Sequence, residues 1–366
     1  MRKNEAIWIE KSQRWQIKVQ KDGVRRAFYS FTPSKRGKIE AEKKADKWLA
    51  TNSKDENIRV GKLWADFLNE VKTTVSHTAY VDHESRGRNW ILPPLEHKQM
   101  ARTTPQDWQD CINAAYKAGR SKKTLKNIRG SIMTFCRYVK KRRVPFEWPD
   151  DLEIPKNAPE GKKTSLQPEQ LKTLFSEDTY IKRGEVLPCF FIYAYRLLAA
   201  TGLRRGELCA LNRKRDLKKG RLSTSHSINR FGEETEGKTK NSTRDFLLWG
   251  IAQEIIDDQL RMLKERGIVS PWLFPDEDGQ RLNPTKLYDQ WCIYRRQHGI
   301  TQSLHELRHT FTSLTQNDVP LEMLKGILGH GADIDTTGVY GHQLEGEDQR
   351  TAQLVDQSLR RYIPYK

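Results

Sequence analysis

The sequence predicts an α+β chain of several domains: a small three-stranded sheet with one helix, a helical bundle, and a mostly helical third part holding a small β-sheet or hairpin. Three observations carry this. Alternating apolar and polar residues with turn chemistry fill residues 1–56, and helical spacing of apolar residues takes over across 57–155. A run rich in Pro, Gly, Lys and Ser, residues 156–164, then separates that stretch from a third one, 165–366. A length of 366 residues leaves room for two or three such parts.

Within residues 1–56, AIWIE, RWQIKVQ and VRRAFYSF are short β-rich runs, and Asp22-Gly23 between the last two is a two-residue hairpin turn. Trp15, Ile17 and Val19 alternate with Arg14, Gln16 and Lys18, so one face packs while the other meets solvent or a ligand. KIEAEKKADKWLA, residues 38–50, reads as the helix behind this sheet. The unit is too small to be an enzyme. A sheet with basic side chains fits a DNA major groove, and the alternative is a basic accessory subdomain that does not touch DNA.

In residues 57–155, VGKLWADFLNEV, PQDWQDCINAAYKAG and SKKTLKNIRGSIMTFCRYVKKRR have helical spacing. Leu125, Ile128, Ile132, Phe135, Cys136 and Val139 form an apolar stripe on the last of them, with basic residues at its two ends. Beyond the linker, FFIYAYRLLAA reads as an apolar helix. GEDQRTAQLVDQSLRRY reads as an amphipathic one near the C-terminus.

Composition narrows the class of partner. Lys and Arg number 65 against 47 Asp and Glu, a net charge of +18, which favours a polyanion, most often nucleic acid. No apolar run approaches the roughly 18 residues that a membrane span needs, and the start lacks the apolar stretch of a signal peptide. A cytoplasmic chain is expected. The five cysteines, Cys111, Cys136, Cys189, Cys209 and Cys292, are scattered without a C-x-x-C pair. That argues against a disulfide scaffold and a structural zinc site.

The chemistry-bearing residues lie in the last part. HELRHTF, residues 305–311, matches H-E-x-x-H, in which two histidines one turn apart bind zinc and the glutamate acts as base. Arg308, however, stands on the same helix face as His305, and no third ligand follows at the needed spacing. A phosphate fits this cation better than a metal ion does. Upstream, LLAATGLRRGELCAL carries Arg204, with Glu207 three residues on to hold it or to cap the next helix. A guanidinium pinned in that way is a planar fork matched to phosphate oxygens. Arg205 is assigned to the surface or to a DNA backbone contact. HSINRFGEETEGKTKNSTRDFLL has a turn-rich centre and strand-like flanks, a hairpin whose tip would carry Lys238 and Lys240.

TGLRRGEL, GKTKNSTR, HELRHTF and LGHGADIDTTGVYGH resemble, in order and spacing, the signature boxes of the tyrosine recombinase (phage integrase) family. The first two parts of the chain look like the arm-type DNA-binding domain (1–56) and the core-binding helical domain (57–155) of integrases from temperate phages and conjugative transposons. Residues 165–366 look like the catalytic domain with a tail helix. The resemblance implies that Arg204 is the first catalytic arginine, that His305 and Arg308 are the H-x-x-R pair, and that His330 is the second histidine. It makes Tyr340 the nucleophile and Lys238 the hairpin lysine, with Lys240 competing. Tyr362 and Tyr365 fall outside the box. Two departures stand out. The gap from His330 to Tyr340 is about one residue longer than the pattern, and RDFLL lacks the proline common after the lysine hairpin.

The implied reaction is attack by Tyr340 on a DNA phosphodiester, giving a 3′-phosphotyrosyl link and a free 5′-hydroxyl, with no cofactor and no metal. Implied partners are double-stranded DNA at core and arm sites, further copies forming a homotetramer on DNA, and DNA-bending and excision proteins. The tail helix would dock on a neighbouring protomer. Alternatives from other classes are a type IB topoisomerase-like strand transferase, a non-catalytic DNA-binding protein on the same scaffold, and, last, a zinc hydrolase.

Overall fold

The computed structural model describes residues 4–21, 24–50, 57–236, 243–329 and 346–365. The chain divides into two compact units, Met1–Gly161 and Lys162–Lys366. The division falls inside the stretch read as a linker.

The first unit holds two separate hydrophobic cores. Strands β1 (Ile7–Ile9), β2 (Arg14–Lys21) and β3 (Val24–Ser30) form an antiparallel sheet in that order. Asp22 and Gly23 lie outside the described residues, but Lys21 pairs with Val24 on either side of them. Helix α1 spans Lys35–Ala50, three residues earlier than its apolar pattern implied. Ile17 and Val19 bury against Ala41, Ala45 and Trp48 of α1, while Lys18 stays exposed. Gln16, expected on the open face, is nevertheless buried.

The bundle comprises α2 (Val60–Thr74), α3 (His77–Arg86), the short α4 (Leu92–Leu95), α5 (Pro105–Lys117) and α6 (Lys122–Lys141). A π-helical turn, Gly87–Ile91, joins α3 to α4. Polar caps set the helix starts. Thr104 and Asp107 cap α5 reciprocally, and Ser121 accepts from the Thr124 N–H at the head of α6. Every member of the α6 stripe, from Leu125 to Val139, is buried against Trp64, Phe67 and Trp108. The end of this unit is not a free leash: Ala158 is buried in the same core, and the Lys122 N–H donates to the Pro159 carbonyl.

The second unit is built around α8 (Ile192–Thr201), flanked by α7 (Pro168–Ser176) and the hairpin β4 (Thr179–Lys182)–β5 (Glu185–Pro188). The short helices α9 (Arg205–Ala210) and α10 (Arg213–Asp216) follow. Strands β6 (Leu217–Lys218), β7 (Arg221–Thr224) and β10 (Arg244–Leu247) form one small sheet in the order β10-β7-β6. Strands β8 (His226–Ile228) and β9 (Glu234–Glu236) form another. This corrects the expectation of one long hairpin. The described turn between β8 and β9 is residues 229–233, and the two flanks of the lysine-bearing stretch belong to different sheets.

Helices α11 (Gly250–Glu265), α12 (Pro284–Gln297), α13 (Leu304–Thr315), α14 (Leu321–Leu328) and α15 (Glu347–Arg360) complete the unit. Trp249 stacks between Phe246 and Phe311, at 5.4 and 5.7 Å, in a core with α8 at its centre. The tail helix α15 packs on α11, α13 and β10 of its own unit, burying Ala352, Val355 and Leu359. In this single chain the tail helix is seated on its own unit. The cysteines are packing residues: all five are unpaired, four are buried, and burial pushes the Cys111, Cys136 and Cys189 thiols up to about 12. No described helix is long and apolar enough to cross a membrane.

Candidate active site

Helix α8 stops at Gly202, which adopts a left-handed conformation at φ 66°. A side chain there would place its Cβ 2.7 Å from Cδ1 of Phe311 and 2.8 Å from Cδ2 of Leu328, so only glycine fits. The chain turns at once into α9, whose N-cap is Arg204. The Arg204 backbone N–H donates to Oε2 of Glu207 at 2.7 Å, and its Nη1 donates to Oε1 at 2.7 Å. Glu207 therefore both caps the helix and holds the arginine, the two roles its spacing allowed.

Glu207 has a second, stronger partner. Arg244, on β10, donates from Nη1 and Nη2 to the two carboxylate oxygens at 3.0 and 2.6 Å. The side chains of Arg244 and Glu207 are 3% and 7% exposed, whereas that of Arg204 is 41% exposed. Burial alone would raise the Glu207 carboxyl. The hydrogen bonds and charge of Arg244, with the hydrogen bonds of Arg204, outweigh it and hold the group at about 2.

The other side of the site is α13. Its N-cap, Ser303, is reciprocally bonded to Glu306, which accepts from the Ser303 N–H and Oγ at 2.8 and 2.9 Å. Glu306 also accepts from the Thr164 N–H and Oγ1, each at 3.0 Å. Those donors overcome partial burial and keep its carboxyl at about 2. Four donors and a low pKa make Glu306 a structural clamp, tying the start of the unit to α13, and leave no general base in the H-E-x-x-H pattern. Leu166 and Ser165 continue the clamp through Thr310 and Ser313.

Two residues further along α13, Arg308 is buried. Its Nη1 donates to the Gly202 carbonyl at 2.6 Å and its Nη2 to the Leu328 carbonyl at 2.5 Å, which locks the guanidinium between the ends of α8 and α14. Burial, then the charges of Arg204 and Arg244, pull it down to about 10, with Glu207 opposing. It remains a cation at neutral pH. His305 is exposed, and its ring meets His309 edge-on at 4.9 Å. Partial burial, then His309, Arg308, Lys163 and Arg204, lower its pKa. It is thus held neutral near pH 7, able to accept a proton. Nε2 of His309 is buried without a hydrogen-bond partner among the described residues.

Of the six residues singled out in the sequence, Arg204, His305 and Arg308 come together here, each within the electrostatic reach of the others. Lys238 (with Lys240), His330 and Tyr340 lie outside the described residues. Arg205 sits away from Glu207's grip, its guanidinium 5.6 Å over the Tyr288 ring. Two residues escaped the sequence reading. Lys163 acts on both His305 and His309, and Arg244 supplies the second grip on Glu207. The signal for Arg244 was available: in RDFL it holds an inward position in step with Phe246. Three guanidinium groups around one carboxylate leave an excess of positive charge, suited to an anion that gains charge as it reacts.

The sequence pattern of the phage integrase family matches residues 164–347. A tyrosine recombinase XerC-like protein of Caldanaerobacter subterraneus subsp. tengcongensis is 26% identical over 372 residues, covering 91% of this chain and 92% of that one. Tyrosine recombinase XerC of Alcanivorax borkumensis is 27% identical over 259 residues, covering 69% and 78%. Among solved structures, a fragment of the Tn1549 transposon integrase in complex with a circular intermediate DNA shares the fold with a TM-score of 0.64 at 20% identity, covering 81% and 99%. A lambda integrase tetramer bound to a Holliday junction does so with a TM-score of 0.58 at 14% identity, covering 90% and 96%.

Proposed function

Because this chain belongs to the phage integrase family, we propose that it opens DNA with Tyr340 and passes the broken strand to a new partner, using Arg204, Lys238, His305, Arg308 and His330. It is a site-specific DNA recombinase of the tyrosine type, a DNA strand transferase. The observation that carries the residue assignment is the meeting of Arg204 and Arg308 beside a neutral His305, with Glu207 holding the exposed arginine.

A phenol is a weak nucleophile at its ordinary pKa near 10, so its proton must be removed or its anion stabilised. His305 takes the Tyr340 proton as a bond forms from the phenolic oxygen to phosphorus. Arg204 and Arg308 bind the non-bridging oxygens as charge builds there. The bond from phosphorus to the 5′-oxygen breaks, and Lys238, or Lys240 in its place, protonates that leaving oxygen. His330 orients the phosphate by a hydrogen bond. One phosphodiester has become one phosphotyrosine, so the bond energy is kept. A 5′-hydroxyl from another strand can then attack phosphorus and release Tyr340 without ATP.

The partner is DNA, on which the protein works as a multimer. We assign arm-type binding to residues 1–56 and core-site binding to 57–155, supported by their separate hydrophobic cores. Residues 165–366 form the catalytic part. Four copies on paired sites, assisted by DNA-bending and excision proteins, complete the proposal.

The test is a nicked duplex carrying the presumed core site, mixed with protein in EDTA. Wild type should form a covalent, protease-sensitive DNA adduct. Tyr340→Phe should bind the same DNA and form none. An adduct of undiminished yield in Tyr340→Phe would remove Tyr340 as nucleophile.

A further inference from the structure

The reaction outlined above uses Arg204 and Arg308 and leaves a third arginine unexplained. Arg244 is buried, and among the described residues both of its side-chain hydrogen bonds go to Glu207. Its Nε has no partner among the described residues. A buried ion pair of this kind seldom stabilises a fold more than apolar packing would, so its placement calls for another reason. The shared carboxylate supplies one. Oε1 of Glu207 accepts from Arg204 and Arg244 together, while Oε2 accepts from Arg244 and the Arg204 backbone. Among the described residues Arg204 is thus held by one side-chain bond, and 41% of its side chain is exposed.

We propose that Arg244 is a positioning residue. By occupying Glu207 with a bidentate fork, it limits that carboxylate to a single bond with the Arg204 side chain and so keeps the Arg204 guanidinium turned toward the phosphate. Without Arg244, the carboxylate forms the bidentate pair with Arg204 instead, because that is the preferred geometry of an arginine and a carboxylate. The guanidinium is then drawn inward, away from the DNA. This inference rests on Arg204 being a phosphate-binding residue, as proposed above.

Single-turnover adduct formation on the nicked duplex, DNA affinity and thermal unfolding would be measured for wild type, Arg204→Ala, Arg244→Met, Arg244→Lys and the double variant Arg244→Met with Glu207→Gln. Arg244→Met should slow adduct formation about 100-fold, the cost of a misplaced catalytic group, with DNA affinity nearly unchanged. Arg244→Lys should fall between it and wild type. Adding Glu207→Gln should recover at least about tenfold of the loss, since a neutral amide no longer grips Arg204 as an ion pair. A merely structural role cannot produce that recovery. Arg244→Met at the wild-type rate, or a double variant no faster than the single one, overturns the inference alone. Should Arg244→Met fail to fold, a wild-type rate in Arg244→Lys overturns it equally. Arg204→Ala at the wild-type rate would instead overturn the reading of the site, and this inference with it.

Discussion

Replacing Glu207 with glutamine removes one charge from between two arginines and leaves Arg244 buried beside a neutral amide. The size of the effect follows from the carboxyl itself. Its pKa falls from an ordinary 4.5 to about 2 in the folded chain. At 1.36 kcal/mol per pH unit, that difference is worth about 3 kcal/mol. Stranding a buried charge by removing its partner costs about 3–5 kcal/mol, which agrees. The same shift fixes the pH window. The unfolded chain takes up a proton at this group near pH 4.5, whereas the folded chain does so only near pH 2, so the stabilisation is complete above 4.5 and is lost as the pH falls toward 2. Glutamine has nothing to titrate. Urea unfolding of wild type and Glu207→Gln across this range should show a gap of about 3 kcal/mol at neutral pH that closes in acid. Taking the difference cancels every other carboxylate. A gap that stays constant with pH, or no gap at pH 7, would refute the reasoning.

Gly202→Ala should destabilise the second unit by about 2–4 kcal/mol, from the left-handed backbone and the contacts its Cβ would make with Phe311 and Leu328. It should also slow adduct formation, since Gly202 and Leu328 hold Arg308; an unchanged melting temperature would contradict this. Glu306→Ala should cost about 1 kcal/mol or somewhat more, as the loss of a helix cap does, while adduct formation persists. Complete loss of activity in a folded Glu306→Ala protein would restore the general-base role denied to it here. His305 must be neutral to accept a proton, and partial burial, His309, Arg308, Lys163 and Arg204 all pull its pKa below 6.5. Adduct formation should therefore hold level from neutral pH to below 6.5 and fall only in more acid solution. The falling limb should vanish in His305→Gln, and a limb at or above 6.5 would count against His305 as the base.

Much of this was legible in the chain. The α6 stripe from Leu125 to Val139 was visible because a 3.6-residue period leaves little freedom in which face packs. The three-residue spacing of Arg204 and Glu207 anticipated their contact because both lie within one helical turn. The pairing of Arg244 with Glu207 was not legible, because it spans 37 residues and depends on β10 pairing with β7. Nor was the division of the lysine-bearing stretch between two sheets, since strand-like flanks around a turn look alike whether or not they pair with each other. The H-E-x-x-H match misled for a local reason: a glutamate three residues after a serine is equally a capping box, and Glu306 is used as one.

Arg308 has a consequence for how selection acts on this chain. A guanidinium pulled from 12.5 to about 10 carries its charge at an expense of about 3 kcal/mol, because it is dehydrated among Arg204 and Arg244. In the free protein Glu207 offsets that cost only in part. A phosphate between the arginines offsets it further, so the second unit should be markedly harder to unfold on DNA than off it. The site is accordingly a place where foldability and purpose pull apart. Substitutions that thin out its positive charge would relieve the free chain while disarming it, and a search for thermostable variants made without DNA would drift toward inactive ones.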